Sequence, residues 1–145
     1  MNFWNESVFV TCILSWFIAQ LIKVITVIIK EKRLDFRRFV GSGGMPSSHA
    51  SFVMALTTSV AILDGFTGVN FAICAVFSLV VMYDAAGVRR AAGQQAKILN
   101  KIVEEWEKAD FEHTDKRLKE LLGHTPFEVF AGAILGIVIA LIRHL

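Results

Sequence analysis

Two histidines stand where polar loops give way to long apolar segments, and their surroundings suit phosphate chemistry. His49 ends residues 43–49 (GGMPSSH), and His124 lies near the start of residues 123–128 (GHTPFE). Each would lie beside a helix N-terminus, where free N–H groups and the helix dipole favour anions. Hydrolysis of a phosphate monoester also needs a nucleophile and an acid, and histidine can serve as either.

The glycine-rich stretch before His49 also has a purely structural explanation. Pro46 and the two serines would form a turn and a helix N-cap without any catalytic role. This explanation leaves His49 unexplained, because an apolar helix start does not require histidine. We therefore predict that His49 is functional and that Ser48 donates to phosphate oxygens.

His124 and Glu128 are four residues apart, so on one helix they share a face and the carboxylate can orient the imidazole. An oriented neutral histidine is a competent nucleophile or base. Thr125 and Glu128 also fit a capping box with Pro126 at the first helical position, so Glu128 could serve the helix alone. Both roles can hold together. We predict that His124 is catalytic and leave the role of Glu128 open.

Lys23 lies inside the first apolar segment and has two interpretations. Its ammonium could extend to the membrane interface, which is common for lysine near a helix end. A lysine close to the polar Gln20 more often faces the bundle interior and marks a site. Phosphate coordination by Lys23 is the favoured interpretation, with Lys30 as the alternative.

Asp84, Arg89 and Arg90 follow another apolar segment. They could form an ordinary ion-pair network at a helix end. Arginine is, however, the side chain best suited to a bidentate grip on phosphate. We predict that one of the two arginines binds phosphate, and the sequence does not distinguish between them.

The composition predicts an all-α integral membrane protein that positions these residues. Of 145 residues, 54% are hydrophobic and the mean hydropathy is +0.56, which is too apolar for an ordinary water-soluble domain. The apolar residues fall into four blocks that predict transmembrane helices in a single domain, 1–145. These blocks are residues 8–29, 47–63, 66–83 and 126–142. The sequence indicates no cofactor, no metal and no nucleic-acid partner.

The charges of the loops predict the orientation of the chain. Five lysines and arginines fall within residues 30–38, and eight within residues 87–124. By the positive-inside rule, both loops are cytoplasmic and the N-terminus is outside, in a bacterial-type cell membrane. All three polar clusters then lie on the cytoplasmic side. Apolar residues at helical spacing around residues 98–106 predict a cytoplasmic amphipathic helix, which would lie on the membrane surface or cover the site.

The last apolar block contains a small-residue motif. Gly132 and Gly136 are four residues apart, which is typical of a close helix-packing face in membranes. The spacing does not say whether the partner helix belongs to the same bundle or to another protomer. The Gly132/Gly136 face is therefore also a candidate homodimer interface.

Residues 46–49 (PSSH) and 123–128 (GHTPFE) resemble motifs of the type 2 phosphatidic acid phosphatase (PAP2) family, and the chain is similar to its divergent branch over nearly its whole length. The first resembles the family's Pro-Ser-Gly-His, whose histidine is the general acid, and so implies this role for His49. The second resembles the end of the third motif. There a histidine attacks phosphorus to form a phosphohistidine, and an aspartate follows four residues later. This resemblance implies that His124 is the nucleophile.

The chain departs from the PAP2 pattern in several places. Ser48 stands where the family has glycine, and Glu128 stands where it has aspartate. The 33 residues 91–123 separate Arg90 from the third-motif histidine, His124, whereas the family's arginine precedes that histidine closely. The four blocks would correspond to the family's last four spans.

The family's first motif, Lys-x6-Arg-Pro, is matched only in part. Lys30 and Arg37 have its spacing, but Arg38 stands where proline is expected. Lys23 is the alternative for the role of the motif's lysine.

Together these features favour a metal-independent lipid phosphate phosphatase with a cytoplasmic active site. His124 would be the nucleophile, His49 the acid, and Glu128 or Asp84 the group that orients His124. The substrate would be a phospholipid or polyprenyl phosphate. The alternatives are a non-catalytic binder or carrier of anionic lipids and a metal site built from the histidines and carboxylates. The predicted phosphate-binding residues are Lys23, Ser48, Arg89 and Arg90.

Overall fold

The computed structural model describes residues 7–31, 44–107 and 123–144, and these residues form five helices with no strand among them. The helices are α1 (Val8–Glu31), α2 (Ser48–Asp64), α3 (Val69–Ala86), α4 (Val88–Glu107) and α5 (Pro126–His144). The predicted all-α class is therefore confirmed for the described residues. The PAP2 family's first motif lies outside the described structure, because the side chain of Lys30 and residues 32–38 are not described.

Local sequence signals explain where the helices begin and end. Ser47 is the N-cap of α2, and its hydroxyl accepts a 3.4 Å hydrogen bond from the Ala50 N–H. Gly65 ends α2 with a φ of +82°, which glycine adopts at little cost. The turn that follows delays α3 until Val69, three residues later than the sequence predicted. Gly87 separates α3 from α4.

Within the described residues, three helices are long and apolar enough to cross a membrane. Their candidate spans are Val8–Thr26 in α1, Val69–Glu105 across α3 and α4, and Pro126–His144 in α5. The fourth predicted span corresponds to α2, which has 17 residues and is not among these candidates. The sequence therefore predicted four helices at these places, and three of them have the length and composition of a span.

Helix α2 is the centre of the bundle, and it packs against α1, α3 and α5. Its most extensive contact is with α5, where Gly132 and Gly136 lie directly on its backbone. A Cβ atom added to Gly132 would overlap the Ser47 carbonyl oxygen, and one added to Gly136 would overlap that of Ser51. The glycine motif thus packs within the bundle. Of the two alternatives that the sequence left open for this face, the structure shows packing within the bundle, because α2 of the same chain covers both glycines.

Buried hydroxyl groups join α2 to its other neighbours. The hydroxyls of Ser15 in α1 and Ser51 in α2 are 2.6 Å apart. Those of Thr57 in α2 and Ser78 in α3 are 2.7 Å apart. Such hydrogen bonds between helices satisfy polar groups that have no access to water.

Helix α4 is amphipathic, as the sequence predicted within residues 87–124. Its apolar residues Ile98, Leu99 and Ile102 are exposed in the described structure. Among the described helices it contacts α3, which it directly follows. The sequence also predicts a second short helix from Leu118, Leu121 and Leu122, and these residues lie outside the described structure.

Candidate functional site

Backbone hydrogen bonds bring the starts of α2 and α5 and the end of α3 to one place. The Ser47 N–H donates to the Glu128 carbonyl oxygen at 2.9 Å, which ties the N-cap of α2 to the first turn of α5. The His124 N–H donates to the Ala85 carbonyl oxygen at 3.1 Å, which ties the residues before α5 to the last turn of α3. The two histidine motifs, far apart in sequence, therefore meet at one end of the bundle.

His124 is buried, with 2% of its surface exposed, and is held by Glu128. Its Nδ1 lies 3.2 Å from Glu128 Oε2. Because a carboxylate can only accept, Nδ1 must carry the hydrogen. In the neutral imidazole the lone pair is then on Nε2, the atom that can act as nucleophile or base.

Glu128 also caps the helix it belongs to. Its Oε2 accepts a 3.0 Å hydrogen bond from the Thr125 N–H, and its own N–H donates to Thr125 Oγ1 at 3.3 Å. This reciprocal pair is a capping box. The two roles that the sequence left open for Glu128 therefore coexist, and the capping bonds fix the carboxylate that positions His124.

Burial lowers the pKa of His124 below its ordinary value, since the charged imidazolium is poorly solvated there. The hydrogen bond to Glu128 opposes this effect and raises the pKa, whereas the positive charges of Lys23 and Arg89 lower it further. The net direction is downward, so His124 is neutral at pH 7. A neutral imidazole is the form that can attack an electrophile.

His49 lies in the first turn of α2 and is exposed. Its ring centroid is 6.5 Å from that of His124, and the two planes are tilted by 59°. A nucleophile needs ~3–3.5 Å to the atom it attacks, and an acid needs ~2.6–3.2 Å to the atom it protonates. The 6.5 Å separation of the ring centroids therefore brings the two imidazoles into one site.

Lys23 is almost completely buried, with 3% of its surface exposed, although it belongs to an apolar helix. Gly44 passes directly over it: a Cβ on Gly44 would lie 3.4 Å from Lys23 Cγ, and the φ of Gly44 is +89°. The positive charge of Lys23 acts on both His49 and His124. The structure therefore places this lysine at the histidine pair.

Arg89 and Asp84 form an ion pair, with Arg89 Nε 2.7 Å from Asp84 Oδ2. Both side chains are partly exposed, at 53% and 40%. Arg89 acts electrostatically on both histidines, and Asp84 acts on His49. The ion pair thus lies at the margin of the site and fixes the position of the guanidinium group.

A scan of family models matches residues 4–139 to a family described as the divergent PAP2 family. The chain belongs to the divergent PAP2 family. The uncharacterized membrane protein YuiD of Bacillus subtilis (strain 168) is 43% identical over 134 residues, which cover 86% of this chain and 85% of that protein. No solved structure matches the chain. Family, relative and the three apolar helices agree that this is a membrane protein.

The other expected site residues of this divergent PAP2 chain occupy different positions. Ser48 is buried in the first turn of α2, next to His49. Arg90 is exposed, and its backbone packs closely against Gly123. A Cβ atom added to Gly123 would overlap the Arg90 backbone nitrogen. Among the described residues, no three His, Cys, Asp or Glu side chains are placed to hold a metal ion together.

The residues that sequence reasoning missed contribute through their backbones. Ser47 and Ala85 provide the N–H and carbonyl that join the three helix ends. Every residue type except proline carries both groups, so no sequence signal could have indicated them. In the sequence Gly123 is only one residue of a motif, whereas in the structure it packs directly on the Arg90 backbone.

Proposed function

We propose that this divergent PAP2 protein is an integral-membrane phosphatase that hydrolyses a lipid phosphate monoester through a histidine nucleophile and without a metal ion. The observation that carries the proposal is the buried His124, oriented by Glu128 and facing His49 across 6.5 Å. A structural histidine pair would not require two nearby cations. The charges of Lys23 and Arg89 at the same pair give a phosphate dianion its counter-charges.

The first chemical step transfers the phosphoryl group to the protein. His124 Nε2 forms a bond to phosphorus while the bond between phosphorus and the lipid oxygen breaks. His49, in its protonated form, gives its proton to that oxygen, so the lipid leaves as an alcohol. The phosphoryl group remains on His124, and Glu128 stabilises the positive charge that develops on the ring.

The second step restores the protein. His49, now neutral, takes a proton from water as the water oxygen bonds to phosphorus and the bond to His124 Nε2 breaks. Inorganic phosphate leaves, and both histidines return to their initial states. Lys23, Ser48 and Arg89 hold the phosphoryl oxygens through both steps, and Asp84 positions Arg89. Arg90, with its backbone against Gly123, is the alternative to Arg89.

The site faces the cytoplasm in this proposal, because the lysine- and arginine-rich residues 30–38 and 87–124 precede α2 and α5 in the sequence. Helix α2 then completes a set of four spans. Its 17 residues reach ~25 Å along the axis, and about 17 residues is the lower limit for crossing the hydrocarbon core. Helix α4, with its exposed apolar residues, would lie on the membrane surface beside the site.

The test is phosphate release by purified full-length protein in detergent from a panel of lipid phosphates, with and without a chelator. We expect release that resists the chelator and falls at least ~10³-fold in His124→Ala, since the nucleophile is lost. His144→Gln is the matched control, because His144 lies at the other end of the bundle, where it contacts Thr11 and Ser59. That variant should keep wild-type activity.

A covalent intermediate gives a second readout. Brief incubation with radiolabelled substrate should leave an acid-labile, alkali-stable phosphoryl group on the wild type and none on His124→Ala. Chelator-sensitive release would instead support the metal site. Tight lipid phosphate binding by folded protein that releases no phosphate would overturn the phosphatase and support a carrier.

A further inference from the structure

A long apolar groove separates α3 from α5 and opens beside the histidine site. Its volume is about 800 Å³. Leu79 and Met82 of α3 line one wall, Phe130 and Ile134 of α5 line the other, and Met54 of α2 forms part of the floor. The lining is apolar apart from the hydroxyl of Tyr83. A groove of this composition suits hydrocarbon.

One end of the groove adjoins the residues that position His124. Ala86 and Pro126 belong to its lining. Ala86 follows Ala85, whose carbonyl accepts the His124 N–H, and Pro126 is two residues beyond His124. A molecule with its phosphate between the histidines could therefore continue directly into the groove.

The length of the groove corresponds to one leaflet of a bilayer. Along α5 it extends from Pro126 to Ile137, which is ~16 Å by the rise of an α-helix. Half of the hydrocarbon core of a bilayer is ~15 Å thick. The groove thus reaches from the site to about the middle of the membrane, the depth at which a lipid chain of that leaflet ends.

The surroundings of the groove indicate what can fill it. Helices α3 and α5 are both candidate membrane spans, so the groove lies at a depth where lipid chains are present.

We propose that this groove holds a hydrocarbon chain of the lipid whose phosphate lies between His49 and His124. The proposal rests on the proposed function for the position of the phosphate. It adds that the substrate enters sideways from the leaflet, and that the chain contributes to the choice of substrate. Burial of about two CH₂ groups corresponds to a tenfold change in affinity, so a long chain should be strongly preferred over a short one.

The kinetic test narrows the groove with Ala133→Phe, which places a ring in its wall. We expect kcat/KM for a long-chain lipid phosphate to fall at least tenfold, while kcat/KM for a short-chain, water-soluble phosphate monoester stays unchanged. Val76→Phe is the matched control, because Val76 is exposed on α3 outside the groove. If Ala133→Phe leaves the preference for long chains intact although the wild type is active, the groove is not the chain site.

A binding test separates this proposal from the phosphatase. His124→Asn protein in lipid nanodiscs is irradiated with a long-chain lipid phosphate that carries a diazirine midway along its chain, and the labelled peptides are sequenced. We expect labelling of α3 and α5 at groove residues such as Leu79 and Ile134, reduced at least tenfold for the same lipid without its phosphate.

The outcomes of the two tests are distinct. Phosphate-dependent labelling of the groove supports the chain site even if wild-type protein releases no phosphate, in which case only the phosphatase fails. Equal labelling by the phosphate-free lipid would mean that the groove is merely solvated by bilayer lipid, and would overturn the proposal. If neither lipid labels the groove, something other than lipid, such as a second copy of the chain, covers it, and the proposal is overturned as well.

Discussion

Helix α5 has two opposite kinds of interface within one helix. Toward α2, Gly132 and Gly136 allow the two backbones to touch, and no further atom fits between them. Toward α3, larger residues such as Phe130 and Ile134 line an open groove of about 800 Å³. Apolar association contributes little inside a membrane, so the closed interface must be stabilised by close van der Waals contact.

The difference shows how the molecule can combine a rigid site with an adaptable surface. The closed interface begins at Ser47 and Glu128, whose backbone hydrogen bond joins α2 to α5. Their neighbours His49 and His124 are therefore held at a fixed separation by the same contact. Beyond the hydrogen bond between His124 and Ala85, the open interface leaves space in which its side chains can accommodate a lipid chain.

The largest effect is expected where the closed interface is forced apart. Gly132→Val adds three carbon atoms at a point where even one would overlap the Ser47 carbonyl oxygen. Overpacking of this kind typically costs 1–3 kcal/mol or more, and here it displaces the start of α2 as well. We expect phosphatase activity below detection and a clearly lower Tm in detergent, measured by phosphate release and thermal unfolding.

The matched control adds comparable bulk on the open side of the same helix. Ala133→Val places two methyl groups at the groove, where there is space. Its Tm and its activity on short-chain substrates should stay near wild type. Equal losses in the two variants would show that the two sides of α5 do not differ as proposed.

A smaller effect is expected from Glu128→Gln, which keeps the shape of the closed interface but removes the charge that orients His124. Loss of a carboxylate from such a pair lowers kcat by ~10²–10⁴-fold. The carboxylate raises the pKa of His124 against the lowering by burial, so its removal lowers that pKa further. Because the neutral ring is the nucleophile, the acid limb of kcat/KM should move to lower pH.

Glu128→Asp is the conservative counterpart, since it keeps a carboxylate and restores the residue that the PAP2 pattern has at this position. It should recover more activity than Glu128→Gln and return the acid limb toward wild type. An acid limb that does not move in Glu128→Gln would mean that this carboxylate does not act on His124, and that Glu128 serves the capping box alone.

Most of the helices and part of the contact between α2 and α5 could be predicted from residue types. The hydropathy blocks indicated α1, α2, α3 and α5, because long apolar helices have a strong compositional signal. The spacing of His124 and Glu128 indicated their contact, because residues four apart share a helix face. The close glycine face was also expected, and the structure was needed to show that its partner is α2 of the same chain.

The groove between α3 and α5 and the backbone hydrogen bonds that join the helix ends could not be predicted. In a membrane, residues that face lipid and residues that face another helix are equally apolar, so the groove residues have no distinctive pattern. The hydrogen bonds of Ser47 and Ala85 depend on how distant segments pack. The choice between Arg89 and Arg90 depends on the direction in which each side chain leaves α4. The sequence alone does not show that direction for two adjacent residues.

The smallest effect is expected at the contact between α2 and α3, which is joined by hydroxyl groups. Ser78 Oγ donates to the Val53 carbonyl oxygen at 2.9 Å and lies 2.7 Å from Thr57 Oγ1. Hydrogen bonds between membrane helices contribute ~0.6 kcal/mol on average. Ser78→Ala should therefore lower the Tm only slightly and leave phosphate release unchanged.

Thr26→Ala is the control for this last variant, because the Thr26 hydroxyl bonds to Ile22 within its own helix. It should not change the Tm, so the difference between the two variants measures the bond between helices. A decrease in Tm in Ser78→Ala as large as that in Gly132→Val would show that the bundle depends as strongly on the α2–α3 contact as on the α2–α5 contact. Helix α3 could then not move without unfolding the bundle, and a lipid would need a route other than lateral entry between α3 and α5.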